Sequence, residues 1–523
     1  MAKSQPKRFI LLPPLGIVSD TLSPTPKAVS SFLNTLEEVR TSSKSLSAAK
    51  IGTKMKVLDS IAENGAKLVE ISAEDVANLQ AEQPGVRIVP EVFYYPARVI
   101  HKPEMLPKAA AAAAKAKAKA AAAKAKVAAA KAKASATKLS IHVVSQADGT
   151  PVAGANVVAF TDFANRTGAG GLTNAQGNVA LALGATTLKV ERLYIYAEHS
   201  FWNALQENVT LKTCMTVKLQ PIDLSFTDEL RFFYGTSDLS FGQGIKVGVI
   251  DTGSGPHKDL QIAGGQNTVQ GEDPNDFSDD GVGHGTHVAG MIAAQGTSPD
   301  GVRGVAPGVE LRAYRVFPKK VGNTEPGASN FAITKAINAA VQDGCDLLNM
   351  SLGGGSADSA TSAAIAHARQ NGTLVIVAAG NDDRSPVSFP ASDPRSVAIS
   401  ALGRLGTFPD GTVELGDVVS PFGTDKKNYI AEFSNVGPEI LLTGPGVGII
   451  STFPGDLYAV MDGTSMATPA VVGASAKLLA EQPAILAMPR NQARSDAMLK
   501  AILQAAADLG FPATLQGKGL IKV

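Results

Sequence analysis

The chain has 523 residues, of which 44% are hydrophobic and 18% are charged, and its formal net charge is +1 at pH 7. This length predicts about three domains with large buried cores, and no apolar run is long enough to span a membrane. Cys214 and Cys345 are the two cysteines and fall in different candidate domains, which excludes a disulfide scaffold and argues against a bridge between them.

The N-terminus combines basic residues with a short apolar run. Lys3, Lys7 and Arg8 stand around the start of the run at 9–12, and the prolines at 13–14 interrupt it. No small-x-small cleavage pattern follows, so the run predicts a strand rather than a secretory signal peptide. The compartment therefore stays open between the cytoplasm and export by a route other than Sec.

Residues 1–106 have the pattern of a small α+β domain. A strand is predicted at 67–71, and Ser72 is placed to cap a helix that stops before the Pro-Gly pair at 84–85. A further strand and an aromatic tail are predicted over 86–96.

Residues 107–138 form an alanine- and lysine-rich linker. The stretch 108–138 contains nine lysines and no acidic residue. Because alanine is the best helix former, the linker is predicted to be a semi-rigid helical spacer about 45 Å long. The alternative is a polybasic tether for nucleic acid or an anionic surface. No aromatic residues are interleaved with the lysines, so the spacer is favoured and no nucleic-acid partner is expected.

Residues 139–223 alternate short strands with turns. The segment 148–155, followed by the turn at 173–177, resembles the transthyretin-like, carboxypeptidase-regulatory-like β-sandwiches. The resemblance implies an all-β domain whose role is docking or spacing.

Residues 224–523 contain short β-branched runs at 246–250, 347–350 and 373–377 that predict buried parallel strands. Asp251 follows the first run and Asn381 closely follows the third. In open α/β sheets, ligand sites lie outside the carboxyl ends of the strands. Both polar side chains are therefore expected at that edge.

Two predicted helices begin with reactive residues. His284 opens a Gly-His-Gly-Thr-His segment that continues as small apolar residues at 288–294. Ser465 lies in the small-residue segment 462–469 and precedes a helix, in whose first turn Pro469 is tolerable. His284 and Ser465 are therefore expected at helix N-termini that face the strand ends.

The serine, histidine, aspartate and asparagine together suit nucleophilic catalysis. A serine hydroxyl such as that of Ser465 needs a base to act as a nucleophile at neutral pH, and His284 can be that base. A buried carboxylate at Asp251 would fix the imidazole tautomer. The amide of Asn381 and the Ser465 N–H could stabilise the oxyanion of a tetrahedral intermediate.

Each residue also has a simpler interpretation. His284 with His287 could form a two-histidine metal site, but no further ligands stand nearby, so His287 is expected to be hydrogen-bonded inside the fold. Taken alone, Asp251 suits a strand-end turn, Asn381 an Asx turn and Ser465 a helix cap. The four together, in matching contexts, favour catalysis.

Residues from about 240 to 480 resemble the subtilisin-like serine proteases, the subtilases. The segments 304–307, 349–354 and 433–438, which carry none of the four catalytic candidates, also match the family's pattern. The resemblance implies a subtilisin-like α/β parallel-sheet domain over 224–523. It assigns four roles: Asp251 as the orienting acid, His284 as the general base, Ser465 as the nucleophile and Asn381 as the oxyanion donor.

The resemblance also implies substrate-binding segments. One would pair with the substrate backbone and the other would wall the pocket for the side chain before the scissile bond. These are Ser351, Leu352 and Gly353, and Ala378, Ala379 and Gly380.

Three departures from the family pattern occur, and one is the short stretch between Asn381 and Phe389, which is closer to the proteinase K branch than to bacterial subtilisins. Ala470 follows Pro469 where the family usually has histidine, and the loop at 298–300 lacks the asparagine that many relatives offer to calcium. No cofactor and no metal in the site are therefore expected. Structural calcium stays an unsupported alternative, as does weak calcium binding by the acidic loop at 272–280.

Residues 54–98 are similar to the subtilase propeptide, a ferredoxin-like domain whose C-terminal tail lies in the protease cleft. This implies a self-inhibited precursor that cuts polypeptides and binds its own propeptide. An unrelated α+β module is the alternative for this segment. For the whole chain, the alternatives are a maturation protease restricted to self-cleavage and a non-catalytic binding scaffold. The four intact site residues argue against the scaffold.

Overall fold

The structure is a computed structural model that describes residues 6–19, 27–41, 53–99, 137–235, 238–322 and 324–523. Nearly all of the predicted alanine- and lysine-rich spacer at 107–138 lies outside the described residues.

The N-terminal unit is one antiparallel sheet with two helices. Its helices are Lys27–Thr41 and Ala73–Glu82. Its sheet has the strand order Met55–Ser60, Lys67–Ile71, Lys7–Leu12, Arg87–Pro90. This β-α-β-β-α-β order is the split β-α-β arrangement of ferredoxin-like domains. The unit begins with the strand Lys7–Leu12 and so extends beyond residues 54–98, the part whose sequence resembles the subtilase propeptide.

Local sequence explains part of this unit. The side chain of Ser72 accepts a hydrogen bond from the Asp75 N–H and caps the second helix as predicted. The helix Lys27–Thr41 was not predicted. It buries Val29, Phe32 and Leu33 against the sheet. This packing stabilises the helix, which its largely polar sequence alone does not predict.

Residues 139–219 form two main sheets around a shared core. The first sheet has the order Ala204–Glu207, Arg192–Tyr196, Asn156–Asp162, Thr167–Leu172. The second has the order Met215–Leu219, Leu139–Ser145, Asn178–Leu181. A separate pair joins Thr187–Lys189 to Thr210–Lys212. Ile141 and Val217 of one sheet and Val157 and Leu193 of the other belong to one buried cluster. We call this unit the β-sandwich; its likeness to transthyretin-like domains stays a prediction.

The C-terminal unit is built on an eight-stranded sheet. Its order is Gly264–Asn267, Glu310–Arg315, Lys246–Asp251, Leu347–Met350, Leu374–Ala378, Val397–Arg404, Asn428–Ile430, with Ile440–Pro445 also paired to Val397–Arg404. All of these pairs are parallel except the one made by Asn428–Ile430. The three predicted strands are thus next to one another in the middle of the sheet.

Alternate residues of these strands enter two different cores. Val249 and Ile376 belong to one buried cluster, and Ile250 and Val377 belong to the other. Successive side chains of a strand point to opposite faces, so a strand covered on both faces is apolar at every position. This explains why the runs are continuous rather than alternating.

Helices cover both faces of the sheet. Residues of the helices His284–Ala293 and Thr464–Ala480 lie in the first core, and those of Asn330–Gln342 and Ser359–Gln370 lie in the second. The remaining helices are Glu229–Tyr234, Pro483–Leu486, Gln492–Gln504, Ala513–Gln516 and the 3-10 helix Val413–Asp417. Short strand pairs join Ile449–Phe453 to Leu457–Met461 and Ala506–Ala507 to Leu520–Ile521.

Within the ranges described, no helix combines the length and apolar character needed to cross a membrane. Cys214 is exposed, Cys345 is buried, and both are free thiols.

Candidate active site

The main sheet and two helix N-termini bring the predicted site residues together. Asp251 is the last residue of its strand, and His284 is the first residue of the helix His284–Ala293. Ser465 is the second residue of the helix Thr464–Ala480, and Asn381 follows the strand Leu374–Ala378. Asp251, His284 and Ser465 are each 0% exposed.

Asp251 orients the imidazole of His284. The Nδ1 atom of His284 lies 2.7 Å from Oδ1 of Asp251, which also accepts the Thr252 N–H at 2.7 Å. A carboxylate can only accept, so Nδ1 is the donor, and in a neutral imidazole Nε2 then carries the free lone pair. Among the described residues, Nε2 has no hydrogen-bond partner. The ring is therefore in the tautomer that a general base requires.

Two donors converge on one carbonyl oxygen. The backbone N–H of Ser465 donates to the Ala97 carbonyl at 3.1 Å, and the Nδ2 group of Asn381 donates to the same oxygen. Oδ1 of Asn381 accepts from both the N–H and the hydroxyl of Thr464, each at 2.9 Å, which fixes the direction of the amide. This arrangement can stabilise negative charge on a carbonyl oxygen.

The Ser465 hydroxyl is close to the same carbonyl group but does not contact the base. It donates to the backbone oxygen of Ser351 at 3.0 Å, and that oxygen also accepts the Ala97 N–H at 3.0 Å. The hydroxyl must therefore turn from Ser351 toward His284 before it can lose its proton to the imidazole.

The tail of the N-terminal unit occupies the cleft as an extended strand. Phe93–Pro96 lies between the strands Ala328–Ser329 and Leu352–Gly353 and is antiparallel to both. Leu352 and Gly353 pair with Pro96 and Tyr95. The predicted backbone-pairing segment is thus paired with the chain's own tail. Sequence reasoning missed the partner strand Ala328–Ser329, since two small residues carry no periodicity.

The second predicted binding segment lies beside the oxyanion donors. Ala378 and Ala379 are 0% exposed, and the Gly380 N–H donates to the Thr464 hydroxyl at 3.2 Å. Gly380 has φ of +108°, and a Cβ at this position would collide with the Asn435 side chain. A close contact between this segment and a substrate side chain stays a prediction.

Tyr94 occupies a buried site that the sequence did not reveal. Its hydroxyl lies 2.5 Å from Oδ2 of Asp358 and 2.8 Å from the Ser356 carbonyl. Burial and the Asp358 carboxylate raise the pKa of this hydroxyl well above its usual value. Asp358 also caps the helix Ser359–Gln370, and that capping role was the only sequence signal at this position.

His287 is hydrogen-bonded inside the fold. Its Nε2 atom lies 3.1 Å from the Ile449 carbonyl and 3.2 Å from the Ala459 carbonyl, so it acts as a donor. Burial, together with the nearby His284, lowers the pKa of His287 to about 3. His287 thus stays neutral beside His284, and the hydrogen-bonded interpretation of this residue is confirmed.

The acidic loop at 272–280 finds its partners within the protein. Glu272 pairs with Arg315 at 2.5 Å and Asp276 with Lys319 at 2.8 Å. The hydrogen bond from Lys319 lowers the pKa of Asp276 to about 2. In the described part of the chain, no three His, Cys, Asp or Glu side chains cluster as metal ligands would. The calcium alternative has gained no support and stays a prediction.

Glycines set the position of His284, and this gives a first testable prediction. Gly283 has φ of +82°, and a Cβ there would overlap the Phe453 ring. Gly283→Ala should displace the start of the helix and lower kcat/KM at least about tenfold, since an error of about 1 Å in a catalytic group can cost 10²-fold. Steady-state hydrolysis of a chromogenic peptide would measure this loss.

Gly281→Ala is the matched control. Gly281 also has positive φ, +98°, but a Cβ there would meet nothing within 4 Å. The strain of a positive φ therefore affects both variants, whereas the collision with Phe453 affects only Gly283→Ala. Equal activity of the two variants would show that the contact with Phe453 does not position His284.

Comparisons with known proteins identify the family of the C-terminal unit. The profile of the Subtilase family matches residues 242–520. Subtilisin DY of Bacillus licheniformis is 37% identical over 288 residues, covering 54% of this chain and 90% of that protein. Subtilisin BL of Lederbergia lenta is 39% identical over 242 residues, covering 46% of this chain and 78% of that protein. A thermostable alkaline protease of Halalkalibacterium halodurans is 36% identical over 282 residues, covering 54% of this chain and 67% of that protein.

The matches to the family profile and to the relatives bear on the C-terminal unit. The resemblances of the first two units to a propeptide and to a transthyretin-like sandwich stay predictions. Over half of the chain, the profile confirms the resemblance seen in the motifs. The chain belongs to the subtilase family and is a serine endopeptidase of the subtilisin type.

Proposed function

We propose that the protein is a self-inhibited precursor that cuts polypeptides through Asp251, His284 and Ser465, with Asn381 as oxyanion donor. The observation that carries the proposal is the Ala97 carbonyl, held between the Ser465 N–H and the Asn381 amide. A carbonyl held by both donors is in the position of the group under attack. The bond between Ala97 and Arg98 is then the one to be cut.

The proposed reaction starts at Ser465. Its Oγ attacks the carbonyl carbon of Ala97 while its proton passes to Nε2 of His284, and Asp251 stabilises the imidazolium. The carbonyl oxygen becomes an oxyanion between the two donors. The amine of Arg98 then takes the proton from His284 and leaves, with Ala97 esterified to Ser465. Water, deprotonated by His284, hydrolyses the ester and frees the carboxylate of Ala97.

The N-terminal unit is proposed to inhibit because its contacts do not depend on the bond that is cut. Tyr94 is 0% exposed, and the strand Phe93–Pro96 pairs on both edges. Asp59 pairs with Lys335 at 2.8 Å. Ile10 and Leu68 lie in the same buried cluster as residues of the C-terminal unit. All of these residues precede Ala97, so the cut fragment should stay bound by strand addition and apolar packing.

The test is self-processing of the purified chain. Mass spectrometry of the wild-type protein should find a new N-terminus at Arg98, within the window from about 96 to 108 in which the sequence passes from the N-terminal domain to the alanine- and lysine-rich linker. Ser465→Ala protein should stay uncut, because the same site performs the cut. A wild-type chain that is uncut and fully active would contradict the precursor proposal. An N-terminus elsewhere in the window would contradict only the register.

One alternative is a maturation protease restricted to self-cleavage. It is favoured by the tail itself, which fills the cleft on the side before the scissile bond. Casein digestion by the processed protein would separate the two functions. A general endopeptidase should degrade casein once the N-terminal fragment is removed, whereas a self-restricted enzyme should leave it intact.

A further inference from the structure

Beyond Ala97, the tail enters a cavity that two units of the protein build together. The cavity has a volume of about 280 Å³. Arg98 and Val99 line it together with Lys320, Glu325 and Asp462 of the C-terminal unit. Asn156, Leu172, Tyr196 and Glu198 line it from the β-sandwich. The β-sandwich therefore forms a wall on the side of the cleft that follows the scissile bond.

This wall is firmly attached to the C-terminal unit. Trp202 of the β-sandwich is 1% exposed and belongs to the core beside the His284 helix. The Ser200 N–H donates to the Tyr458 carbonyl at 2.8 Å, and the Leu205 N–H donates to the Gly411 carbonyl at 2.9 Å. These bonds and the shared core hold the wall beside the cleft.

Hydrogen bonding and packing at Val99 fix the course of the tail in this cavity. The Val99 N–H donates to the Asp462 carbonyl at 3.0 Å, and the Val99 side chain packs against the first core of the C-terminal unit, which contains Val249 and Ile376. The chain therefore runs on past the scissile bond in a defined register. Because Ala97 and Val99 are both held, the backbone position of Arg98 between them is fixed.

The side chain of Arg98 meets a carboxylate. Its Nη2 atom lies 2.5 Å from Oε2 of Glu325, and the two side chains are 18% and 28% exposed. Lys320 lies 4.0 Å from Glu325 and 3.8 Å from Glu198, and so links the carboxylate to the β-sandwich. A charge pair that is largely shielded from water interacts more strongly than an exposed pair.

We propose that Glu325 selects a basic side chain immediately after the scissile bond of polypeptide substrates, in a cavity that the β-sandwich closes. The inference rests on the proposed function, because it takes the bond between Ala97 and Arg98 as the model of a bound scissile bond. It assigns the β-sandwich a part in substrate selection in addition to docking or spacing. The favoured substrates carry arginine or lysine at this position.

Three internally quenched peptides test the proposal with protein that is purified from expression of the full chain and then freed of its N-terminal fragment, as in the casein assay. They share the tail sequence Phe-Tyr-Tyr-Pro-Ala-Xaa-Val, and Xaa is Arg, Ala or Glu. For the wild type, kcat/KM should be about tenfold higher with Arg than with Ala, as expected for a charge-assisted hydrogen bond. The Glu peptide should be cut more slowly still, because like charges would meet at Glu325.

Two variants then test the carboxylate. Glu325→Gln should reduce the Arg-to-Ala ratio to about twofold or less, because the substitution removes the negative charge that pairs with the arginine. Glu325→Lys should reverse the order, so that the Glu peptide becomes better than the Arg peptide. Ratios within one variant are independent of how much of the protein is active, so partial misfolding does not affect them.

Glu481→Gln is the matched control, since Glu481 is exposed and follows the helix that begins near Ser465, about 24 Å away along its axis. It should keep the wild-type ratio. The same Arg-to-Ala ratio in wild type and Glu325→Gln would overturn the inference, and so would equal cutting of all three peptides by the wild type. Failure of the wild type to cut any of the peptides after removal of its N-terminal fragment would overturn the proposed function and this inference with it.

Discussion

Replacing Ser465 by alanine is expected to lower kcat for peptide hydrolysis by about 10⁶-fold, a magnitude measured on a subtilisin. The substitution removes the hydroxyl oxygen that is proposed to attack the carbonyl between the two donors. His284→Ala should cost nearly as much, because nucleophile and base act as a unit. Initial rates on a chromogenic peptide would measure both losses, and the melting temperature would show that the fold is intact.

Ser475→Ala is the matched control for this prediction. Ser475 lies on the same helix as Ser465, is also 0% exposed, and its hydroxyl has no hydrogen-bond partner in the described part of the chain. Its loss should leave activity within about twofold, since surrounding contacts change little. Substantial activity in purified Ser465→Ala protein would show that another residue is the nucleophile.

The second large effect is expected from Asn381→Leu, which removes an oxyanion donor with little change in side-chain size. Its Nδ2 group donates to the Ala97 carbonyl, where negative charge would develop. We expect kcat to fall by about 10² to 10³, again a magnitude measured on a subtilisin. KM should change little, because the strands that pair with the tail in the cleft, Ala328–Ser329 and Leu352–Gly353, are untouched.

Separate measurement of kcat and KM with one peptide decides this role. A loss confined to KM would mean that Asn381 binds the ground state rather than the transition state. Thr464→Val offers a graded comparison, because the Thr464 hydroxyl donates to Oδ1 of Asn381 at 2.9 Å while its N–H does the same. It should cost less than Asn381→Leu, since one of the two orienting bonds remains.

Local patterns carried most of the catalytic assignment. The apolar runs that end near Asp251 and Asn381, and the small-residue segments around His284 and Ser465, each predict an element and its end. The sheet then brings those ends together because neighbouring parallel strands present their carboxyl ends at one edge. The family resemblance assigned the roles. The distances that make them chemically sensible, such as 2.7 Å between His284 and Asp251, came only from the structure.

Other features lay beyond any local pattern. The strand Ala328–Ser329 has two residues, too few for a period to be recognised. The helix Lys27–Thr41 depends on packing against its sheet. The contact between Asp358 and Tyr94 joins residues 264 positions apart, so no local pattern could reveal it.

Motifs and apolar runs alone identify a subtilase and its candidate catalytic side chains, because each of these patterns is encoded within a few neighbouring residues. What surrounds the bond between Ala97 and Arg98 became visible only in the folded structure. Arg98 and Glu325 are 227 positions apart, and the wall of the β-sandwich comes from a third segment of the chain. Such contacts depend on how folded units pack, and composition and spacing carry no record of that packing.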